Sequence, residues 1–118
     1  LPFLRGFDGV IVIDHFGRPV GGPDTIGFRA VLSALERGRT WVKLSAAFRV
    51  RPPGAGEIIR PLLDAAGPAR LLWGSDWPFV AHEHTVTYAS ALADYYRLIP
   101  DPAVRREIDR TAVRFYFG

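Results

Sequence analysis

Hydrophobic positions along the chain fall into two alternating patterns. Three short apolar runs, residues 10–13, 41–44 and 71–73, recur about thirty residues apart. Between and after them lie stripes with helical spacing. The first joins Phe28, Val31, Leu32 and Leu35, and the second Ile58, Ile59, Leu62, Leu63 and Ala66. The third joins Val86, Ala89, Ala93 and Tyr96, and the fourth Val104, Ile108, Ala112 and Phe115. Boundary residues agree with this division. Asp24 or Thr25 can cap the first helix, Gly38 stands where a left-handed residue is wanted after it, and Gly67-Pro68 closes the second. The third stops before Pro100, and Asp101-Pro102 supplies a cap followed by proline at the first helical position of the fourth. The predicted order is strand, helix, strand, helix, strand, helix, helix.

Strands that read as continuous apolar runs are expected to be covered on both faces, and strands separated by helices pair in parallel through right-handed crossovers. The fold class is therefore α/β, built of parallel β/α units. A TIM-type (β/α)8 barrel uses about 31 residues per unit. That pitch matches the repeat, while the chain supplies only some three units of eight. We expect the whole span 1–118 to be the carboxyl-terminal portion of such a barrel, its last three or so units, rather than a self-standing three-stranded domain.

Composition narrows the partners. With 48% hydrophobic and 23% charged residues in 118 the chain is globular. No apolar run approaches the roughly 20 residues of a membrane span, and residues 1–5 lack signal-peptide features, so the expected location is cytoplasmic with no membrane partner. The formal charge of +3 comes from fourteen Arg and one Lys against twelve acids. These cations are dispersed, and Arg105, Arg106, Arg110 and Arg114 alternate with Glu107 and Asp109 on one amphipathic segment. That is a solvated face with internal ion pairs rather than a phosphate-binding stripe, so no nucleic acid is expected. Without cysteine, any metal needs His, Asp or Glu ligands.

Each apolar run empties into a polar cluster: Asp14-His15 after the first, Ser45 with Arg49 and Arg51 after the second, Ser75-Asp76 after the third. The carboxyl ends of parallel strands are where β/α proteins place their chemistry. Asp76, between Trp73 and Trp77 that should exclude water, could accept a proton from attacking water. His15 could hold a metal or stabilise an oxyanion. An arginine such as Arg49 grips a carboxylate in bidentate fashion. Plainer readings stand beside these: a turn-making Asp76, a hydrogen-bonded structural His15, and Asp14 as an acceptor orienting His15 or a nearby amide. Lys43 within an apolar run is read as half of a buried ion pair. Arg51 is read as a surface loop residue, His82 and His84 as opening the third helix on its exposed side, and Phe115, Tyr116 and Phe117 as packing the closing helix on its neighbours.

The strings Leu72-Trp73-Gly74-Ser75-Asp76-Trp77-Pro78 and Ile13-Asp14-His15-Phe16-Gly17-Arg18-Pro19 narrow the choice. Together with Trp41-Val42-Lys43-Leu44-Ser45 and residues 108–112, they resemble the amidohydrolase-related family of β/α-barrel hydrolases, in particular its 2-pyrone-4,6-dicarboxylate lactonase-like branch. The resemblance implies that Asp76 activates the hydrolytic water and is a metal ligand in metal-dependent members. It implies that His15 contacts the metal or polarises the scissile carbonyl, and that Arg49 holds a substrate carboxylate. It allows a divalent metal, Zn or Mn, held by His15 and Asp76. Departures stand out as well. No His-X-His pair ends a strand, His82-Glu83-His84 follows the last strand, Phe79 replaces a polar residue, and Ala46 replaces a glycine.

The expected activity is hydrolysis of a lactone or cyclic ester of a small carboxylic acid, so the expected partner is a small-molecule carboxylate. A metal-dependent decarboxylase of the same superfamily is the alternative. A third reading is an inactive barrel fragment that self-associates or pairs with the missing barrel units.

Overall fold

The computed structural model describes residues 6–51 and 53–118. Residues 1–5, which bore on the leader-peptide expectation, lie outside the described residues. Three strands, β1 (Ile11–Ile13), β2 (Thr40–Ser45) and β3 (Leu71–Gly74), form one sheet in the order β1-β2-β3. All pairing is parallel, with Ile13 opposite Val42 and Val42 opposite Leu71. The helices are α1 (Ile26–Glu36), α2 (Ala55–Ala66), α3 (Tyr88–Leu98) and α4 (Pro102–Phe117). The α/β expectation and the element order therefore hold. Among the described residues no helix is long and apolar enough to cross a membrane.

Local chemistry accounts for the helix boundaries. Thr25 caps α1, its hydroxyl oxygen accepting from the Phe28 amide at 3.3 Å. Gly38 follows α1 at φ +97, a conformation that costs a glycine little. Asp101 accepts from the Ala103 amide at 2.9 Å, and Pro102 opens α4 with a ring that needs no donor there.

Paired residues of parallel strands share a face. One face carries Ile13, Val42, Leu44, Leu71 and Trp73, and it packs with the apolar sides of α1 and α2 into a single core containing Phe16, Phe28, Leu35, Ile58, Leu62 and Ile108. Val12, Lys43 and Ser45 stand on the other face. Here the expectation of cover on both sides fails for β1, because Val10 and Val12 are exposed. Trp41 on this face meets Phe115 from the last turn of α4 at 5.1 Å between ring centroids. Tyr116 and Phe117 are exposed, so of the terminal aromatic stripe only Phe115 packs as expected.

Helix α3 also differs from its predicted stripe. It starts at Tyr88, and its buried residues are Ala91 and Tyr95, whereas Ala89, Ala93 and Tyr96 face solvent. The cause is a stack: Tyr95 lies flat on Trp73 at 5.0 Å and 16°. That contact turns the helix about one position from where aliphatic periodicity would set it. The segment before it, including His82 and His84, forms turns, so these histidines precede the helix instead of opening it.

Side-chain bonds tie the layers together. Arg70, just ahead of β3, donates to the carbonyls of Leu35 at the end of α1 and Thr40 at the start of β2. The buried Thr111 hydroxyl of α4 lies 2.8 Å from the Pro68 carbonyl. Thr111→Val would leave that carbonyl without its partner, and we expect a loss of about 1–2 kcal/mol in the unfolding free energy by urea titration.

Tyr95 adds a pH dependence. Its hydroxyl donates to the Arg105 carbonyl at 3.2 Å and lies 3.1 Å from an Asp109 carboxylate oxygen. Burial, then the Asp109 charge, push its phenol well above the ordinary value. A raised folded-state value means that the associated stability is intact below the unfolded-state value of about 10 and is lost above it. Between pH about 9 and 11 the native chain should therefore lose more unfolding free energy than Tyr95→Phe, as measured by urea titration at both pH values.

Candidate functional site

The three strands end at one rim, and each is followed within two residues by a non-glycine residue in the left-handed region. These are His15 at φ 53, Ala46 at φ 57 and Asp76 at φ 64. Such conformations cost of order 1–3 kcal/mol each and gather at functional sites. The chain turns sharply off each strand, which brings the following side chains back over the strand ends. Short helical turns at His15–Gly17 and Ala47–Arg49 complete two of these exits. Phe16 plugs the first into the core at 1% exposure, anchoring the backbone on which His15 sits.

The three residues singled out as catalytic or binding candidates meet here. Arg49 Nε donates to Asp76 Oδ2 at 2.8 Å, and Arg49 Nη2 donates to the Val80 carbonyl at 2.8 Å. His15 Nε2 faces the other Asp76 oxygen, Oδ1, across 3.9 Å. His15 Nδ1 lies 2.8 Å from the hydroxyl of Ser45, the last residue of β2. The guanidinium of Arg49 also rests on the Phe48 ring, 4.9 Å from its centroid. All three side chains are mostly covered, at 21% exposure for His15, 22% for Asp76 and 19% for Arg49.

Beside this group a cleft of about 390 Å³ opens on the sheet face opposite the core, lined by Asp14, His15, Lys43, Ser45, Asp76 and Tyr116 among others. That volume suits a small molecule. Lys43 Nζ pairs with Asp14 Oδ1 at 3.1 Å across β1 and β2. The pair spans the sheet as read, but it is half-exposed rather than buried, because the face it stands on is open. Asp14 accordingly serves Lys43 and not His15.

The water-excluding tryptophans are not arranged as expected. Trp77 is 74% exposed, and Trp73 stacks on Tyr95, so the groups flanking Asp76 are the Arg49 guanidinium and the His15 imidazole. His82 packs against Phe48, with ring centroids 4.9 Å apart and planes tilted by 58°. Arg51, exposed as expected of a surface loop, joins Arg18 and Arg49 in lining a small crevice. Glu83 is held below the usual carboxylate range by hydrogen bonds from its own and the Ala81 backbone amides.

The residue that sequence reasoning passed over is Ser45. It was visible as a strand-end polar group, but its partnership depends on register. Ile13 pairs with Val42, so the turn after β1 lands His15 beside the end of β2.

A divalent metal needs more than this group provides. Among the described residues no three His, Asp or Glu side chains gather, and one oxygen of Asp76 is taken by Arg49. His15 and Asp76 alone are too few donors for a closed site.

The chain is 31% identical over 114 residues to 4-sulfomuconolactone hydrolase of Rhizobium radiobacter, covering 89% of this chain and 38% of that enzyme. The crystal structure of a probable 2-pyrone-4,6-dicarboxylic acid hydrolase from Acinetobacter baumannii, with citric acid bound, superposes with a TM-score of 0.85 at 29% identity. The match covers 96% of this chain and 45% of that one. An amidohydrolase from Burkholderia multivorans, crystallised with bound zinc, matches at TM-score 0.68 and 26% identity over 93% of this chain and 44% of its own. The chain thus spans less than half the length of these relatives, and its three-stranded parallel sheet corresponds to part of an amidohydrolase barrel. The defining pattern of the amidohydrolase family matches residues 3–118, and the chain belongs to that family.

Proposed function

We propose that this chain carries the water-activating half of a lactone hydrolase site, formed by the last three units of its barrel, and that the substrate is a lactone or cyclic ester of a small carboxylic acid. The observation that carries the reading is the division of the Asp76 carboxylate: Oδ2 is held by Arg49 while Oδ1 faces His15 across a gap of 3.9 Å. That gap is too long for a direct hydrogen bond and leaves room for a bridging oxygen. Lactone chemistry in the names of the relatives, 4-sulfomuconolactone hydrolase and D-galactarolactone isomerase, supports the substrate class.

In this reading water sits against Asp76 Oδ1, which takes its proton as the water oxygen adds to the lactone carbonyl carbon. Charge developing on the carbonyl oxygen is met by His15 Nε2. The ring C–O bond then breaks, and the ring oxygen takes up the proton to leave as the hydroxyl of the opened acid. Arg49 fixes the carboxylate rotamer through Nε, and its Nη1, which has no hydrogen-bond partner among the described residues, is left for a substrate carboxylate. No step here is routed through a metal.

The test is turnover of a dicarboxylic acid lactone by the chain, with and without added Zn²⁺ or Mn²⁺. Asp76→Asn should lower turnover by at least about 100-fold while the circular dichroism spectrum is unchanged. Full activity in that variant overturns the proposal, while no turnover by the native chain under any of these conditions favours the inactive-fragment reading. Arg49→Gln removes both the rotamer lock and the anion contact, so kcat should fall about tenfold while KM rises about tenfold. An effect on KM alone would limit Arg49 to substrate binding.

A further inference from the structure

Ser45 is 5% exposed at the end of β2, and a buried hydroxyl needs an acceptor for its proton. On the β3 side its register mate is Gly74, which has no side chain to offer. Its only hydrogen-bond partner among the described residues is His15 Nδ1, at 2.8 Å. A neutral imidazole carries one proton on its two nitrogens. Were that proton on Nδ1, it would point at Ser45, and the hydroxyl proton would have no acceptor among the described residues. Were it on Nε2, the hydroxyl would donate to the bare Nδ1, and the Nε2 proton would face the cleft, where Asp76 Oδ1 lies 3.9 Å away, within reach through a bridging oxygen. Only the second arrangement gives the Ser45 proton an acceptor among the described residues.

We propose that the Ser45 hydroxyl donates to His15 Nδ1 and is the positioning residue that holds the imidazole as its Nε2–H tautomer, so that His15 offers the cleft a proton donor rather than a lone pair. The catalytic meaning rests on the lactonase reading above; the tautomer itself does not. A donor at Nε2 suits polarisation of a carbonyl oxygen. A metal ligand at the same atom would need the opposite tautomer, with its other N–H donated to an acceptor.

The test is nitrogen-15 NMR of the histidine side chains in the native 118-residue chain at alkaline pH, where free imidazole is neutral, with His15 assigned by its loss in His15→Gln. The native chain should show His15 as a single Nε2–H tautomer. Ser45→Ala should show a mixture of tautomers, and Ser45→Thr, which keeps the hydroxyl, should restore the native pattern. In a lactone assay Ser45→Ala should lower kcat about tenfold with KM within about twofold, again restored in Ser45→Thr. An Nδ1–H tautomer in the native chain, or an unchanged pattern in a folded Ser45→Ala, overturns the proposal. Should Ser45→Ala not fold, the native tautomer still decides. A native Nε2–H pattern together with full lactone turnover in Asp76→Asn would sink the hydrolase reading and leave the role of Ser45 standing.

Discussion

Everything at this site hangs on β2 pairing in parallel with a neighbour on each edge. Backbone register is the constraint: once Val42 lies between Ile13 and Leu71, the exits of all three strands are at one rim. The register is itself held by burial. Val42 and Leu71 are fully buried and Leu44 nearly so. A one-residue slip of β2 would carry Lys43 into the core and send Val42 and Leu44 to the opposite face. The buried side of the sheet therefore sets the geometry of the polar rim.

The rim is stabilised at a distance from itself. Left-handed conformations at His15, Ala46 and Asp76 are unfavourable locally, and they persist because neighbouring residues are pinned. Phe16 is locked in the core one residue beyond His15, and Phe79, three beyond Asp76, is 5% exposed. Arg49 then joins two of these exits, reaching from the turn after β2 to the Asp76 carboxylate and the Val80 carbonyl after β3. Part of the folding free energy of the core is in this sense expressed as the orientation of three polar side chains.

The strands, their parallel order and the ends of the helices were legible in the sequence because each rests on a local signal: an apolar run, a capping hydroxyl at Thr25, a proline after Asp101. Proximity of His15, Arg49 and Asp76 was legible only through the rule that parallel strands end at one rim. What escaped were features set by tertiary contact. Tyr95 stacking on Trp73 rotated α3 away from its aliphatic stripe. Trp77 turned outward, so the apolar cover expected over Asp76 is absent and an ion pair stands in its place. The half-exposed Lys43–Asp14 pair reflects the open sheet face, which no periodicity in these strands announced.

The Asp76 carboxylate also shows why residue types alone under-determine chemistry. A free aspartate offers two equivalent oxygens and rotates between them. Here Arg49 occupies one, and that single bond makes the oxygens distinct, leaving one set of lone pairs aimed at the His15 edge. The imidazole is oriented by Ser45, which approaches only Nδ1. Each group is fixed by a neighbour on β2 or in the turn that follows it, and their remaining atoms face one another across a gap wide enough for a reacting oxygen. An acid and a base named from sequence become a directional pair only through Ser45 and Arg49. That places β2 and its exit turn, rather than the two strands bearing the reactive groups, in control of the proposed chemistry.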